Sequence, residues 1–455
     1  MSLRILILAA GQGTRMRSHV PKVLHKLAGR SLLEHVYQTA SALPHESISV
    51  VYGHGGNLVP DTLKQLQVHW VEQTRQLGTG HAVSQALPLV QDGDDVLILY
   101  GDVPLISVET LERLYSAASA SGFAFLTAIL DEPTGYGRIV RDRRGEVVRI
   151  VEQKDADKDE RAIREINTGI MAVRGAWLKR WIEALDNKNK QGEYYLTDIV
   201  AMAAHESISI DCIHAHNLNE IIGINDRVQL AQVEAIYRRQ QGARLMRDGV
   251  TLVDPERFDL RGSLEPGIDN HIDINVIIEG EVRFGNNISI GANCVLRDVT
   301  IADNAEIQPN CIVEQATIGH GCRIGPFARI RPETQLQDYI HIGNFVEVKK
   351  STIDNNSRVN HLSYIGDAEI GRNVNVGAGT ITCNYDGANK YKTIIEDNVF
   401  IGSDTQLIAP VRVASGATIG AGTTVTRNVD TNTLAVSRAE QRSVKNWKRP
   451  KKQEP

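Results

Sequence analysis

A chain of 455 residues exceeds what one hydrophobic core supports, since cores stop growing near about 250–300 residues and longer chains divide. Hydrophobic and charged fractions of 42% and 23% exclude a disordered or coiled-coil chain, and a net charge of −5, from 50 Lys+Arg against 55 Asp+Glu, leaves no overall basic field for nucleic acid. Five cysteines, odd in number and without CxxC spacing, argue against a disulfide frame or a Cys-based zinc site and fit reduced thiols in a cytoplasmic protein, and no apolar run approaches the ~18 residues of a membrane helix.

The chain opens on a buried strand over Leu3–Ala9. It runs straight into Gly11-Gln12-Gly13 with Arg15 and Arg17 behind, which sets it apart from a signal peptide. Further apolar runs at Ile48–Tyr52 and Val96–Tyr100 alternate with amphipathic stretches at Ser31–Leu43, His81–Leu87 and Val108–Ala118. Strand and helix in alternation predict an α/β, Rossmann-like domain with a mostly parallel sheet, over residues 1–226. Ligands of such a sheet belong at the carboxyl ends of its strands. Residues 227–247 contain no proline and one glycine, and predict a connecting helix about 30 Å long, with Val228, Ala231, Ala235, Leu245 and Met246 on its apolar face.

Residues 248–455 carry a repeat. From Ile278 an apolar residue recurs about every six positions, through Phe284, Ile290, Leu296, Ile301, Ile307 and onward to Val376. After a break it resumes at Ile395, Ile401, Leu407, Val413, Ile419 and Val425. A six-residue unit is one short strand plus a corner relieved by Gly or Asn, and three units close a triangular coil. About nine coils follow, at ~4.8 Å each a prism roughly 40 Å tall, with a loop extruded at 381–394. The basic ending from Lys445 to Lys452 reads as a solvated tail.

Two features narrow the function. The segment Leu8-Ala9-Ala10-Gly11-Gln12-Gly13-Thr14-Arg15-Met16 with Pro21-Lys22 places two glycines and two cations after a buried strand. Backbone N–H groups there can approach a phosphate, while the dinucleotide and Walker A patterns are both absent. This set resembles the signature of the nucleoside-diphosphate-sugar pyrophosphorylases. The repeat resembles the hexapeptide left-handed β-helix, the handedness coming from the resemblance. Together they resemble the bacterial bifunctional enzymes that join a UDP-N-acetylglucosamine pyrophosphorylase to a glucosamine-1-phosphate N-acetyltransferase. Motifs recur in order at Gln76–Ala82, Tyr100–Pro104, Gly135–Ile139, Val151–Asp155 and Glu165–Gly169.

The resemblance implies roles for particular residues. Leu8, Ala9, Ala10, Gly11, Gln73, Gly78 and Thr79 would line a uridine pocket, and Arg15 and Lys22 would neutralise the triphosphate. Tyr100, Gly101, Gly137, Glu152 and Asn167 would hold the N-acetylglucosamine sugar. Asp102 and Asn225 would bind Mg²⁺, an ion that keeps several waters and takes few protein ligands. UTP and acetyl-CoA would be substrates. In the second half His361 would be the base, with Arg331, Lys349, Tyr364 and Asn375 on glucosamine-1-phosphate. Ala378, Asn384, Tyr385, Ser403, Ala421 and Arg438 would meet acetyl-CoA. A histidine titrates near neutrality and suits the removal of an amine proton. The resemblance also implies a cytoplasmic homotrimer with sites shared between chains, and a product feeding peptidoglycan and lipopolysaccharide. Two other readings are a related sugar-1-phosphate nucleotidylyltransferase with different base or sugar preference, and a non-catalytic regulatory homologue that keeps both folds.

Overall fold

The computed structural model describes residues 2–450 and 452. It divides into two compact units, Met1–Tyr237 and Arg238–Pro455. Lys451, in the basic ending, lies outside the described residues; Trp447 and its basic neighbours are exposed and without regular structure.

In the first unit a nine-stranded sheet runs in the order Asp211–His214, Phe123–Ile129, Glu165–Arg174, Asp95–Tyr100, Leu3–Leu8, Ser47–Tyr52, His69–Glu72. A short antiparallel pair, Gly137–Arg141 and Val147–Val151, joins Glu165–Arg174. Every pairing along the main order is parallel except those of Glu165–Arg174, which is antiparallel to both neighbours. Central strands such as Leu3–Leu8 are buried on both faces because helices cover both sides, which is why their sequences read as unbroken apolar runs. Local signals set the helix starts. Ser31 and Glu34 form a capping box on Leu32–Ser41, and Ser107 caps Val108–Ser121. The register puts Leu8 beside both Tyr100 and Val51, so three carboxyl ends open at one edge.

The helix Arg227–Arg247 forms where it is expected. Its apolar face differs from the expected one. Val228 and Met246 are exposed and Ala231 faces solvent. Val233 is buried with Leu27, Leu32, Leu105 and Ile224 in the first unit, and Leu245 enters the core of the second. A chain segment that serves two cores has no single stripe, so one helical period cannot be fitted to it.

The second unit is a parallel β-helix. One face is an eleven-stranded sheet from Thr251–Leu252 to Leu434–Ala435, and the other two faces join in a seventeen-stranded sheet. Every apolar station of the repeat is buried. Eleven rungs on one face exceed the nine coils expected, giving a height of about 48 Å at ~4.8 Å per rung. The count began at Ile278, so the rungs N-terminal to it, on Thr251–Leu252, Phe258–Glu265 and His271–Ile272, fell outside it. Corners are often Asn in the left-handed conformation, and these stack: Asn275 donates to Asn293 at 3.0 Å and Asn287 to Asn304 at 2.8 Å.

The loop expected at 381–394 is shorter. Ile381–Cys383 and Thr393–Ile395 both belong to the ladder, and only the residues between them project, as a hairpin bridged at Tyr385 and Lys390. The missing station is Thr382, buried in line with the apolar ones. Its hydroxyl accepts from the Gly366 N–H at 2.7 Å and donates to the Gly366 carbonyl at 3.0 Å. A polar residue satisfied in this way fills a core position and breaks an apolar count.

Candidate functional site

At the carboxyl ends of Leu3–Leu8 and Asp95–Tyr100 lies a cavity of about 480 Å³. Leu8, Ala9, Ala10, Gly11, Lys22, Gln73, Gly78, Thr79, Tyr100 and Asp102 all line it. Gly13 has φ 61°, and a Cβ there would stand 2.8 Å from the Cβ of Lys22, so the glycine loop and Lys22 pack together only because Gly13 has no side chain. Arg15 is exposed on the 3₁₀ turn Thr14–Met16 that follows this loop and does not line the cavity.

Lys22 is the hub. Its ammonium pairs with the Asp102 carboxylate and lies 3.4 Å from Asn225 Oδ1. Asn225 reaches this point because the Ile224 N–H donates to the Asp102 carbonyl at 2.9 Å, and Gln229 Oε1 accepts from the Asn225 N–H at 2.7 Å. One carboxylate oxygen and one amide oxygen thus converge on a single cationic group. This hard oxygen donor set fits Mg²⁺, with waters and substrate phosphates completing the shell.

The expected sugar residues form a second ring behind Tyr100 and do not line the cavity wall, apart from Tyr100 itself. Gly169 lies under the Tyr100 ring, and its N–H donates to Asn167 Oδ1 at 3.0 Å. Asn167 and Gly137 are cross-strand partners, and the Gly137 backbone runs alongside the Glu152 carboxylate. Gly101 donates its N–H to the Leu8 carbonyl at 2.9 Å, tying the two strand ends together. The Thr197 hydroxyl donates to Glu152 Oε1 at 3.0 Å. Burial holds the Glu152 carboxyl above the usual carboxylate range. The Thr197 hydrogen bond works against this, and Asp198, Asp155 and Glu193 add to it. Burial likewise pushes the Tyr100 phenol up.

The Glu152 shift has a consequence for stability. A carboxyl with a raised folded-state pKa contributes full stability below its unfolded value and loses it as pH rises through the folded one. Glu152→Gln cannot ionise, so the first unit should melt higher than wild type at pH 7–8, by about 2–4 °C for each kcal/mol relieved, with the gap closing near pH 4. Melting curves at the two pH values check this; an equal gap at both would discard it.

The second cluster lies on the β-helix. Successive coils stack His361, Ala378, Ser403 and Ala421 along one corner, through Gly379 N to the His361 carbonyl, Asp404 N to Ala378, and Gly422 N to Ser403. Arg438 Nε closes the stack on the Ala421 carbonyl at 3.3 Å. His361 is exposed at the end of Arg358–His361, and its Nδ1 lies 3.1 Å from Asn344 Oδ1 on the coil below. An amide oxygen can only accept, so the Nδ1 proton faces Asn344 and Nε2 keeps a free lone pair. Tyr364 stands on the next face. Arg331, whose guanidinium donates to Glu347 at 2.7 Å, and Lys349 occupy the far end of that face. Asn375 lies on the face of His361, beside Arg358.

Asn384 and Tyr385 are not at the His361 corner within one chain. The Asn384 amide donates to Asp367 at the next corner, and the Tyr385 hydroxyl donates to Gly387 in the hairpin. Lys390 in the same hairpin is held below the usual lysine range by Lys349.

Sequence reasoning missed several residues. Gln12, Val23, Gln76 and Ala82, which stand in or beside the quoted motifs but were given no role, line the first cavity with Glu193, and Thr197 holds Glu152. Asn344 was missed at the second site, although a coil length of 17 residues from His361 places it directly below. Among the described residues no three His, Cys, Asp or Glu side chains gather as a metal cluster, and no helix is long and apolar enough to cross a membrane.

Three families match parts of the chain: the MobA-like NTP transferase domain over residues 5–188, the GMPPB C-terminal domain over 267–341, and the bacterial transferase hexapeptide, six repeats, over 392–427. With the hexapeptide family on its last coils, the β-helix is left-handed. The chain is similar along its whole length to two curated relatives. "Bifunctional protein GlmU" of Methylococcus capsulatus is 58% identical over 453 residues, covering 99% of this chain and 98% of the relative. "Bifunctional protein GlmU" of an Azoarcus species is 55% identical over 451 residues, covering 99% and 100%.

Proposed function

The chain belongs to the bifunctional GlmU family, and we propose that its two activities divide between the two sites described above. It is a UDP-N-acetylglucosamine pyrophosphorylase and a glucosamine-1-phosphate N-acetyltransferase. We assign the first activity to residues 1–226 and the second to 248–455, with 227–247 as linker. The observation that carries the first assignment is the convergence of the glycine loop, Lys22, Asp102 and Asn225 at one strand edge.

In the pyrophosphorylase, a phosphate oxygen of N-acetylglucosamine-1-phosphate attacks the α-phosphorus of UTP in line and pyrophosphate leaves. The nucleophile is already anionic, so no general base is required and positioning and charge neutralisation do the work. Leu8 to Gly11, Gln73, Gly78 and Thr79 hold the uridine, while Lys22 and Arg15 face the phosphates. Tyr100, Gly101, Gly137, Glu152 and Asn167 hold the sugar. Asp102 and Asn225 would hold Mg²⁺, which would neutralise phosphate charge.

In the acetyltransferase, His361 Nε2 takes the proton of the glucosamine amine as its nitrogen attacks the thioester carbonyl, and returns it to the departing thiolate as the C–S bond breaks, so that coenzyme A leaves as the thiol. Arg331 and Lys349 hold the sugar phosphate, with Tyr364 and Asn375 beside it. Ala378, Ser403, Ala421 and Arg438 offer one continuous corner to acetyl-CoA, and Asn384 and Tyr385 reach it from another chain. A homotrimer is supported by an exposed ridge on the His361 corner. The rings of Phe327 and Phe345 stack there at 5.3 Å and Leu362 continues the line, an apolar edge that a second copy would cover. The free cysteines support a cytoplasmic location, where the product would be available for peptidoglycan and lipopolysaccharide synthesis.

Light scattering at micromolar concentration should give three times the chain mass, and a monomer mass with full acetyl transfer would sink the shared site. A grid of nucleoside triphosphates against sugar phosphates, scored for pyrophosphate release, tests the substrate assignment. UTP with N-acetylglucosamine-1-phosphate should lead, and a preference for thymidine or glucose substrates would replace this assignment.

A further inference from the structure

The two oxygens assigned to Mg²⁺ above are the two that Lys22 reaches. Its Nζ pairs with Asp102 Oδ2 and stands 3.4 Å from Asn225 Oδ1. A Mg²⁺ ion held by these residues would need the carboxylate oxygen that Nζ already pairs with. Both cations seek the same carboxylate oxygen, and two positive charges in one small space repel. We propose that Lys22 is a surrogate cation. Metal binding exchanges with its ammonium and sends it to the adjoining glycine loop, where the nucleotide phosphates lie. The inference rests on the Mg²⁺ reading.

Three features of the site support the exchange. The root of Lys22 is fixed against Gly13, so only its flexible four-carbon stem needs to swing. Gly11, Gln12, Lys22 and Asp102 line one cavity, so the ammonium changes partners without leaving it. The side chains of Lys22 and Asp102 are only 13% and 16% exposed, and a carboxylate so shielded is costly to leave without a cation. One cation or the other therefore remains on Asp102. Lys22 becomes free for phosphate when the metal takes its place, and by linkage nucleotide and metal each favour the binding of the other.

The test uses Mn²⁺ as probe, titrated into the full chain without nucleotide and followed by electron paramagnetic resonance. Lys22→Met removes the competitor, and the Mn²⁺ Kd should fall by about tenfold relative to wild type, within the usual range of such couplings. Asp102→Asn should weaken Mn²⁺ binding in both backgrounds. Equal Kd values for wild type and Lys22→Met, with Asp102→Asn still damaging, overturn the exchange and leave the metal reading standing. Binding indifferent to Asp102→Asn overturns the metal reading itself. A wild-type measurement covers the case in which Lys22→Met fails to fold. Acetylation of surface amines, read by peptide mass spectrometry, should rise severalfold at Lys22 when Mn²⁺ is added and stay constant at the remote Lys188. Unchanged labelling of Lys22 at saturating Mn²⁺ overturns the proposal.

Discussion

His361→Ala should lower acetyl transfer by about 10²–10⁴-fold, the usual cost of losing a general base, while pyrophosphate release is unchanged. The expectation rests on one geometric fact. Asn344 Oδ1 lies 3.1 Å from His361 Nδ1, favours the tautomer protonated there, and leaves Nε2 as the acceptor. The His361 side chain is exposed and lies outside the buried core, so its removal should leave the β-helix intact. A purely structural corner histidine predicts the opposite, a lower melting temperature with turnover per folded molecule preserved. Thermal melting beside single-turnover kinetics separates the two. Asn344→Ala, which spares the base and removes its orienter, should reduce the same step by less. Near-normal turnover from folded His361→Ala would move the base elsewhere, with Tyr364 on the adjacent face the next candidate.

Asp102→Ala should reduce pyrophosphate release by at least about 10³-fold, since metal-assisted charge stabilisation is worth several kcal/mol and each 1.36 kcal/mol is tenfold. Acetyl transfer by the same chain should be untouched. The side chain does not hold the fold together. The bond from the Ile224 N–H goes to the Asp102 backbone carbonyl and survives the substitution. What is lost is the ion pair with Lys22, and with it the place where a divalent cation would be held. Residues 1–237 made alone, which keep Gln229 and Val233 with the first unit, should retain pyrophosphate release, measured by coupled phosphate assay. Loss of both activities in folded Asp102→Ala would show that the two sites depend on one another.

Parts of the molecule with a local period were readable in the amino-acid order. An apolar run covered on both faces predicts a central parallel strand, and Leu3–Leu8, Ser47–Tyr52 and Asp95–Tyr100 lie within a residue or so of where that reasoning puts them. The six-residue step predicts a coil because each inward residue must be apolar, and every station is buried. Where one residue satisfied the core by another route, the reading failed. Thr382 fills its station through two hydrogen bonds to Gly366, so the apolar count broke and the loop was drawn too long. The helix Arg227–Arg247 was legible in extent, from its lack of proline, but not in orientation, because Val233 and Leu245 serve different cores.

The amino-acid order by itself determined the two architectures and the loop of glycines and cations, since backbone geometry and burial leave a mark on every second, sixth or 3.6th residue. Tertiary structure alone decided which polar groups meet. Lys22 lies 80 residues from Asp102 and 203 from Asn225, and no period connects them; the path of the chain across the sheet brings the three together. Asn344 meets His361 because one coil of the β-helix returns 17 residues later to the same corner. A polar side chain is satisfied by water or by any partner of the right charge or donor set, and no local period dictates which, so its sequence context carries no trace of its partner until the fold has closed.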